Sequence, residues 1–358
     1  MSRWKLVRLK FGRNVTHFGE LGIGLEETSE RVRSDTIFSA WLSAYARLFG
    51  STEIELLIDK CKQPTPLFRL SSTFIYQEFN GKLIEYLPRP LKFPKNYPIG
   101  DDLAFTKTFK KLKYLPLSVW QRWYQGEGFT ETDRNELIAK TKGSSAGALA
   151  EAGTFDYSKA YQMQKLPKVA IDRTTRATNF YHTGVVSYRW DLVNGEIESQ
   201  SGLYFLVEFP TDDTEFDRTF FAVLKFLGSE GIGGERSSGA GQFEAKSSDL
   251  DSTWKAVTQF ADGTEYSLLS LLWQSQITPA MLNEASYELQ QRGGWITSLA
   301  SGGQQRRKTV QMFTEGSVLQ FQPVGELADV TPHNFHTHRV YRSGLCLSLP
   351  IKVQNTNE

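Results

Sequence analysis

Residues 216–246 read FDRTFFAVLKFLGSEGIGGERSSGAGQFEAK. Large apolar residues recur at helical spacing, which predicts a helix over Phe216–Leu227. A glycine-rich loop, Gly231–Gly241, follows it, and Gln242–Lys246 is predicted as a strand. Because Leu203–Phe209 also has the composition of a strand, the segment predicts the order strand, helix, loop, strand.

The beginning of the chain has a similar order. Lys5–Phe11 alternates basic and apolar residues and is predicted as a strand. A loop with several glycines, Gly19–Gly24, comes next. Ser34 or Asp35 is predicted to cap the helix that follows, since both side chains accept hydrogen bonds from free amides at a helix start.

The repeated order of elements favours the α+β class. We predict two ferredoxin-like (RRM-like) domains packed together, residues 1–198 and 199–358, with the glycine-rich loop 231–241 in the second. Residues 126–170 are rich in Gly, Ser, Ala and charge. They are predicted to be a flexible, thumb-like insertion in the first domain.

Three further local signals can be tested. Asn80-Gly81 lies between two strand-like runs and predicts a hairpin. Pro279–Gln290 is predicted as a helix. Thr309–Phe313 and Ser317–Phe321 are predicted to pair as a hairpin that turns at Glu315-Gly316.

Bulk composition excludes several classes of protein. The 358 residues include 41 basic and 40 acidic side chains, so any basic surface must be local. The two cysteines, Cys61 and Cys346, have no CxxC partner, which argues against a disulfide framework or a cysteine-based zinc site. The charged first residues do not resemble a signal peptide, and no run is long enough to cross a bilayer. We therefore expect a cytoplasmic protein without a membrane partner.

The glycine-rich loop has the chemistry of a phosphate contact. Glycines allow left-handed backbone and close approach of amides to a ligand, and arginine and serine add donors. No Gly-Lys-Ser/Thr closes the loop, and it follows a helix, so it is neither a Walker nor a Rossmann loop. The alternative is a tight helix-to-strand connection. The candidate ligand-binding residues are Gly233, Gly234, Arg236, Ser237, Ser238, Gly239 and Gly241.

Other candidates lie elsewhere in the chain. A helix start favours anions, and basic residues near aromatic ones suit single-stranded RNA. For each basic island alone, a solvated surface is the alternative. The triple-histidine stretch His333–His338 could hold a metal, but a contact to the second domain is the favoured interpretation. The remaining candidate RNA-binding residues are His17, Arg31, Arg33, Ser34, Arg173, Arg306, Arg307 and Lys308.

These stretches together resemble the RAMP superfamily of CRISPR-associated proteins. The resemblance rests on His17-Phe-Gly19, on the helix start at Ser34, and on the loop that ends in Gly239-Ala-Gly-Gln-Phe243. Within the superfamily the chain is similar to the fourth subunit of type III-A Csm complexes. That likeness rests on the stretches Ile171-Asp-Arg-Thr-Thr-Arg176, Gly294-Trp-Ile296, Lys308–Val318 and His338–Gly344.

The resemblance implies a binding role and no catalysis. Such subunits cap the repeat-derived 5′ tag of the crRNA, and they contact a large polymerase-type subunit and a backbone RAMP subunit. Their thumb reaches between guide and target RNA. No cofactor or metal is implied. Two alternatives are a RAMP-type crRNA-processing endoribonuclease with His17 as acid or base, and the equivalent subunit of a type III-B Cmr complex.

Overall fold

The first strand lies next to the edge strand of an eight-stranded antiparallel sheet in the computed structural model, which describes residues 2–20, 24–79, 81–98, 103–194, 196–296 and 305–354. β1 (Arg3–Lys10) pairs on one side with β9 (Glu196–Phe209) and on the other with β10 (Glu244–Asp249). Val7, which is fully buried, lies opposite Phe205 in β9. Both edges of β1 are therefore satisfied by strands that come about 200 residues later in the chain.

Two helices connect the strands of this sheet. α1 (Ser34–Phe49) follows β1, and α7 (Thr214–Glu230) joins β9 to β10. They pack against each other through Trp41, whose ring stacks on Phe220 at 5.1 Å and whose Nε1 donates to the Phe220 carbonyl at 3.0 Å. The strand order β10-β1-β9-β3, with β3 at Phe74–Phe79, is that of one ferredoxin-like βαββαβ unit.

The predicted domain boundary between residues 198 and 199 is wrong, because it falls inside β9. β9 pairs with β1 over residues 203–209 and with β3 over residues 199–204. The glycine-rich loop therefore belongs to the same sheet unit as the N-terminal strand. Sequence periodicity showed where strands lie and not which strands pair. A second ferredoxin-like domain stays a prediction.

Both principal helices are confirmed, but the capping of α1 is not as predicted. Arg33 is the residue that precedes the helix, and no side chain caps it. Ser34 and Asp35 are buried and use their side chains in contacts with the C-terminal part of the chain, described below. By contrast, Asp213 caps α7 by accepting from the Phe216 amide at 2.9 Å.

The predicted insertion at residues 126–170 is structured. It contains α5 (Glu131–Thr141), which begins at a capping box between Thr130 and Asp133. Its last part is β6 (Tyr161–Ile171), which forms a long hairpin with β7 (Thr178–Tyr188). The polar composition predicts a flexible insertion, because the same amino acids are favoured in loops and at helix caps.

The C-terminal part of the chain contains a three-stranded sheet, in which β11 (Glu265–Leu268) lies between β14 (Val318–Leu319) and β17 (Ser348–Ile351), and two two-stranded sheets. The predicted helix Pro279–Gln290 is wrong: only a 3₁₀ turn at Pro279–Leu282 forms, and β12 (Leu289–Arg292) follows. The predicted hairpin of residues 309–321 is also wrong. β13 (Val310–Phe313) pairs with β12, whereas β14 (Val318–Leu319) pairs with β11, because Glu315 between them is drawn into the interior.

The hairpin at Asn80-Gly81 is confirmed by its strands, although Asn80 itself lies outside the described residues. Within the part of the chain that the structure describes, no helix has the length and apolar character to span a membrane.

The other elements are β2 (Arg69–Leu70), β4 (Lys82–Pro88), β5 (Tyr114–Pro116), β8 (Trp190–Val193), β11 (Glu265–Leu268), β15 (Leu327–Asp329), β16 (Tyr341–Ser343), β17 (Ser348–Ile351), α2 (Ser51–Cys61), α3 (Leu103–Lys111), α4 (Leu117–Gln125), α6 (Ala148–Glu151) and α8 (Ser252–Thr258).

Candidate nucleic-acid interface

The glycine-rich loop is closed at its base by backbone hydrogen bonds. The Ile232 amide donates to the Gly241 carbonyl at 2.9 Å, and the Gly241 amide donates to the Val15 carbonyl at 2.8 Å. Gly241 has φ +79°, and a Cβ there would overlap the Ile232 carbonyl oxygen. The position therefore requires glycine for both conformation and space.

His17 lies directly beneath the loop. Its carbonyl accepts from the Gly234 amide at 2.9 Å, and a Cβ on Gly234 would be 2.6 Å from the His17 ring. Its Nδ1 donates to the Gly184 carbonyl at 2.7 Å, and the side chain is buried. The structure thus brings together His17, Gly233 and Gly234. His17 connects the glycine-rich loop to β7 of the β6–β7 hairpin.

The tip of the loop faces solvent. Arg236–Ser238 form one 3₁₀ turn between left-handed residues Glu235 (φ 58°) and Gly239 (φ 83°). Arg236, Ser237, Ser238 and Gly239 are all exposed. Among the described residues, no carbonyl accepts from the amides of Arg236 and Ser237. The tip therefore offers two open amides, a guanidinium and hydroxyl groups on one short turn.

A lysine from the β6–β7 hairpin reaches the loop. Lys168 Nζ forms an ion pair with Glu235 Oε2 and donates to Ser238 Oγ at 3.2 Å. The Ser238 hydroxyl in turn donates to the Glu235 carbonyl at 2.8 Å. The hydrogen bond from Lys168 holds the pKa of Glu235 below its usual range. The hairpin and the loop tip are thereby joined at one point.

The end of the hairpin beyond Lys168 projects into solvent with an apolar and basic surface. Asp172 orders the turn by accepting from the amides of Thr174 and Thr175 at 2.8 and 2.7 Å. Arg173 is exposed at this turn. Phe180 is 62% exposed, which is unusual for a large apolar side chain and marks a contact surface.

Arg31, Arg33 and Ser34 do not lie at this surface. Arg31 is buried, donates to Tyr114 Oη at 2.8 Å and pairs with Glu315 at 2.9 Å. Arg33 is half-buried and contacts Glu315 and Glu20. The basic residues at the start of α1 therefore form ion pairs inside the protein. These three residues are not part of the interface proposed below.

The basic stretch Arg306–Lys308 divides between surface and interior. Arg306 is exposed and stacks over the Trp295 ring at 5.3 Å, and Lys308 is exposed beside a cavity. Arg307 points inward, where burial and then the neighbouring Arg342 lower its pKa to about 10. Only the first and third residues of the stretch can therefore meet a ligand from solvent.

Comparison with known proteins supports the resemblance found in the sequence. A model of the CRISPR Csm4 C-terminal domain matches residues 261–351. A Csm4 protein from Methanocaldococcus jannaschii is 25% identical over 379 residues, which cover 95% of this chain and 96% of the relative. A Csm4 protein from Thermococcus onnurineus is 26% identical, with 90% and 92% covered. The chain is similar to Csm4 proteins over nearly its whole length.

Solved structures agree with the fold expected of a Csm4 protein. A chain in the crystal structure of a Csm3–Csm4 subcomplex of the type III-A interference complex has a TM-score of 0.60 at 19% identity, covering 98% of this chain and 99% of that one. A chain in a Csm1–Csm4 cassette with pppApA has a TM-score of 0.53 at 17% identity, with 98% and 99% covered. The α+β class and the resemblance to this family are therefore confirmed.

Sequence reasoning missed the ionic cluster that joins α1 to the C-terminal part of the chain. Asp35 accepts from Arg292 Nε at 2.9 Å and Nη2 at 3.0 Å, and it also pairs with Arg342. Burial opposes its ionisation, but Arg292 and Arg342 hold the pKa of Asp35 well below its usual range. These residues are about 250 and 300 positions apart, so no local pattern could have predicted the contact.

Glu235 and Lys168 were likewise not predicted as a pair. Neither residue is among the predicted site residues, and Glu235 is the one acidic residue within the loop Gly231–Gly241. The one available signal was the presence of a carboxylate inside a loop otherwise suited to anions, since such a carboxylate needs a cationic partner.

Proposed function

We propose that this chain is the subunit that binds the repeat-derived 5′ tag of the guide RNA in a type III-A CRISPR complex. The observation that carries the proposal is the exposed turn Arg236–Ser238, whose open amides stand on a base fixed by His17 and Val15. Rigid, preorganised donors of this kind bind an anion without the cost of ordering a loop.

The chemistry of the surface suits single-stranded RNA. The Arg236 guanidinium can donate two parallel hydrogen bonds to a phosphate, and the neighbouring amides and hydroxyls can hold a second oxygen. On the hairpin, Arg173 adds a cation and Phe180 offers an exposed ring on which a base can stack. The loop and the hairpin together thus provide donors for the phosphate backbone and an aromatic ring for base stacking.

The absence of catalysis is part of the proposal. A general acid or base must come within about 3 Å of the proton it moves. His17 is 5% exposed and its Nδ1 donates to the Gly184 carbonyl, which favours a supporting role. Incubation of the purified protein with repeat RNA is expected to leave the RNA intact. A discrete product that disappears in His17→Ala would establish the endoribonuclease alternative instead.

We further propose that the chain assembles with a large Csm1-like subunit and a Csm3-like backbone subunit. Support comes from related chains, which were solved in a Csm1–Csm4 cassette and a Csm3–Csm4 subcomplex. The projecting β6–β7 hairpin is the element with the reach to approach target RNA. Co-expression with the two subunits of a Csm or a Cmr system tests this proposal and decides between the two types.

Binding of a labelled RNA that carries the tag sequence tests the central claim. Arg236→Ala is expected to weaken binding by about 1–3 kcal/mol, the contribution of a charged hydrogen bond. Arg218→Ala is the matched control, because Arg218 is an exposed arginine on α7 outside the loop. Equal affinities of the two variants and the parent chain would remove the loop from the RNA site.

A further inference from the structure

The cavity beside Lys308 lies between α2 and the loop that connects β15 to β16. Its volume is about 450 Å³, within the usual range of ligand sites. Side chains from three separate segments meet there, since Glu55 comes from α2 and Lys308 from the segment before β13. The lining residues are Glu55, Lys308, Thr331, Pro332, His333, Phe335, His336, His338 and Arg339.

The walls of this cavity are held by the backbone. The Val330 amide donates to the Val340 carbonyl at 2.9 Å, which closes the loop at its neck. Phe335 is buried and anchors the middle of the loop in a small apolar core. The Lys308 amide donates to the Val330 carbonyl at 2.9 Å, so the lysine is fixed beside the loop. The cavity is therefore a built feature of the fold.

The lining is dominated by groups that donate to anions. The lining contains Lys308, Arg339, three histidines and one carboxylate, that of Glu55, while Asp329 lies outside the lining near Lys308 and Arg339. Arg339 has its other contact with Asp329 at 3.6 Å, where its side chain is 71% exposed, so this ion pair is weak. Within the described residues, no group of three or more His, Cys, Asp or Glu is placed to hold a metal ion. An anion is thus the ligand that this donor set fits.

A neighbouring aromatic surface indicates which anion. In the chain, residues 306 and 308 are exposed and residue 307 faces inward, so Arg306 and Lys308 point to the same side. Arg306 stacks over Trp295, whose ring is 36% exposed. An exposed cation–aromatic pair next to a cationic cavity suits a nucleotide chain, in which phosphates alternate with bases.

We propose that this cavity binds a phosphate group of the RNA backbone, as a second contact separate from the glycine-rich loop. The inference rests on the proposed function for the identity of the ligand as RNA. Lys308 and Arg339 supply the charge, and His333 and His336 supply further ring N–H donors. Glu55 opposes the ligand and sets an upper limit on its affinity.

The test uses some variants that are expected to weaken RNA binding and one that is expected to strengthen it. Binding of tag-bearing RNA is measured against salt concentration for the parent chain, Lys308→Ala, Arg339→Ala and Glu55→Gln. The first two are expected to weaken binding about five-fold each and to reduce the salt slope by about 0.7 per lost contact. Glu55→Gln is expected to tighten binding about two-fold or more. Lys60→Ala, an exposed lysine of α2 outside the cavity, is the matched control and is expected to stay within two-fold.

The possible failures are distinguishable. If the cavity variants match the parent chain while Arg236→Ala loses affinity, the cavity proposal is overturned and the proposed function stands. If Arg236→Ala also matches the parent chain, both are overturned. If Lys308→Ala binds RNA normally but no longer copurifies with a partner subunit, the cavity is a protein contact and the proposal is wrong.

A second measurement separates RNA from small phosphates. The imidazole signals of His333, His336 and His338 are followed by NMR during titration with RNA, inorganic phosphate and ATP, and are assigned with His→Gln variants. Shifts with RNA at concentrations near its dissociation constant support the proposal. Shifts only with inorganic phosphate or ATP would assign the cavity to a free phosphate compound and overturn the RNA assignment.

Discussion

Exchanging the charges of Lys168 and Glu235 tests whether their ion pair positions the hairpin on the glycine-rich loop. Their side chains are 25% and 18% exposed, so solvent screens the pair only partly. Exposed pairs contribute about 0.2–1 kcal/mol, and the extra hydrogen bond to Ser238 places this pair near the upper end, at about 1 kcal/mol. Lys168→Glu and Glu235→Lys alone each put like charges together. The double variant restores an attractive pair.

The assay is a double-mutant cycle with two readouts. Hydrogen exchange of the β6–β7 amides is expected to speed up about five-fold in each single variant, which corresponds to about 1 kcal/mol, and to return within two-fold of the parent in the double variant. RNA affinity is expected to follow the same pattern if Lys168 acts by positioning.

Two results would refute this reasoning. A coupling energy below about 0.3 kcal/mol in the exchange measurement would show that the ion pair does not hold the hairpin. Restored exchange with RNA affinity still as low as in Lys168→Glu would show that Lys168 contacts RNA directly.

The remaining predictions concern the interior, the loop and the hairpin. Asp35→Asn removes the buried carboxylate shared by Arg292 and Arg342 and is expected to cost about 3–5 kcal/mol in denaturant unfolding, whereas the exposed Asp59→Asn is expected to be neutral. Because the pKa values of Asp35 and Glu315 are lowered in the folded state, their contribution is complete above pH about 4–5 and is lost as pH falls below it; a thermal midpoint that is flat from pH 5 to pH 3 would contradict this. Gly241→Ala is expected to lower the thermal midpoint more than Gly239→Ala, because both have positive φ but only Gly241 also lacks space for a Cβ. Phe180→Ala is expected to weaken RNA binding by about 1–3 kcal/mol without changing the thermal midpoint, as measured by RNA titration and calorimetry.

Local patterns predicted those parts of the fold that local physics determines. The starts of α1 and α7, the strand character of β1 and the hairpin at Gly81 depend on residues within one or two turns of each other. Pairing across the sheet does not. β1 finds β9 and β10 only because the intervening chain folds back, and the domain boundary was misplaced for that reason.

The interior of the C-terminal part shows a second limit of local patterns. The sequence predicts a helix over Pro279–Gln290, a segment that contains Leu282 and Ala285. In the structure the two residues pack with Phe313 in a small cluster, and the chain extends into β12. A short apolar pattern serves equally well for a helix and for an irregular segment with a core contact, so tertiary packing decided the outcome.

The fate of the basic residues explains why a nearly neutral chain can still present a nucleic-acid surface. Arg31, Arg292 and Arg342 are buried and paired with the three carboxylates Glu315, Asp35 and Glu20, so they add little to the field outside. The exposed cations, among them Arg236 and Lys308, are the ones that a phosphate can reach. A cluster of arginines in a sequence therefore predicts a nucleic-acid contact only when these arginines do not form ion pairs with carboxylates far away in the chain. Glycines around Arg236 are the more informative sign, because a turn held open by left-handed glycines keeps its cation and its amides at the surface.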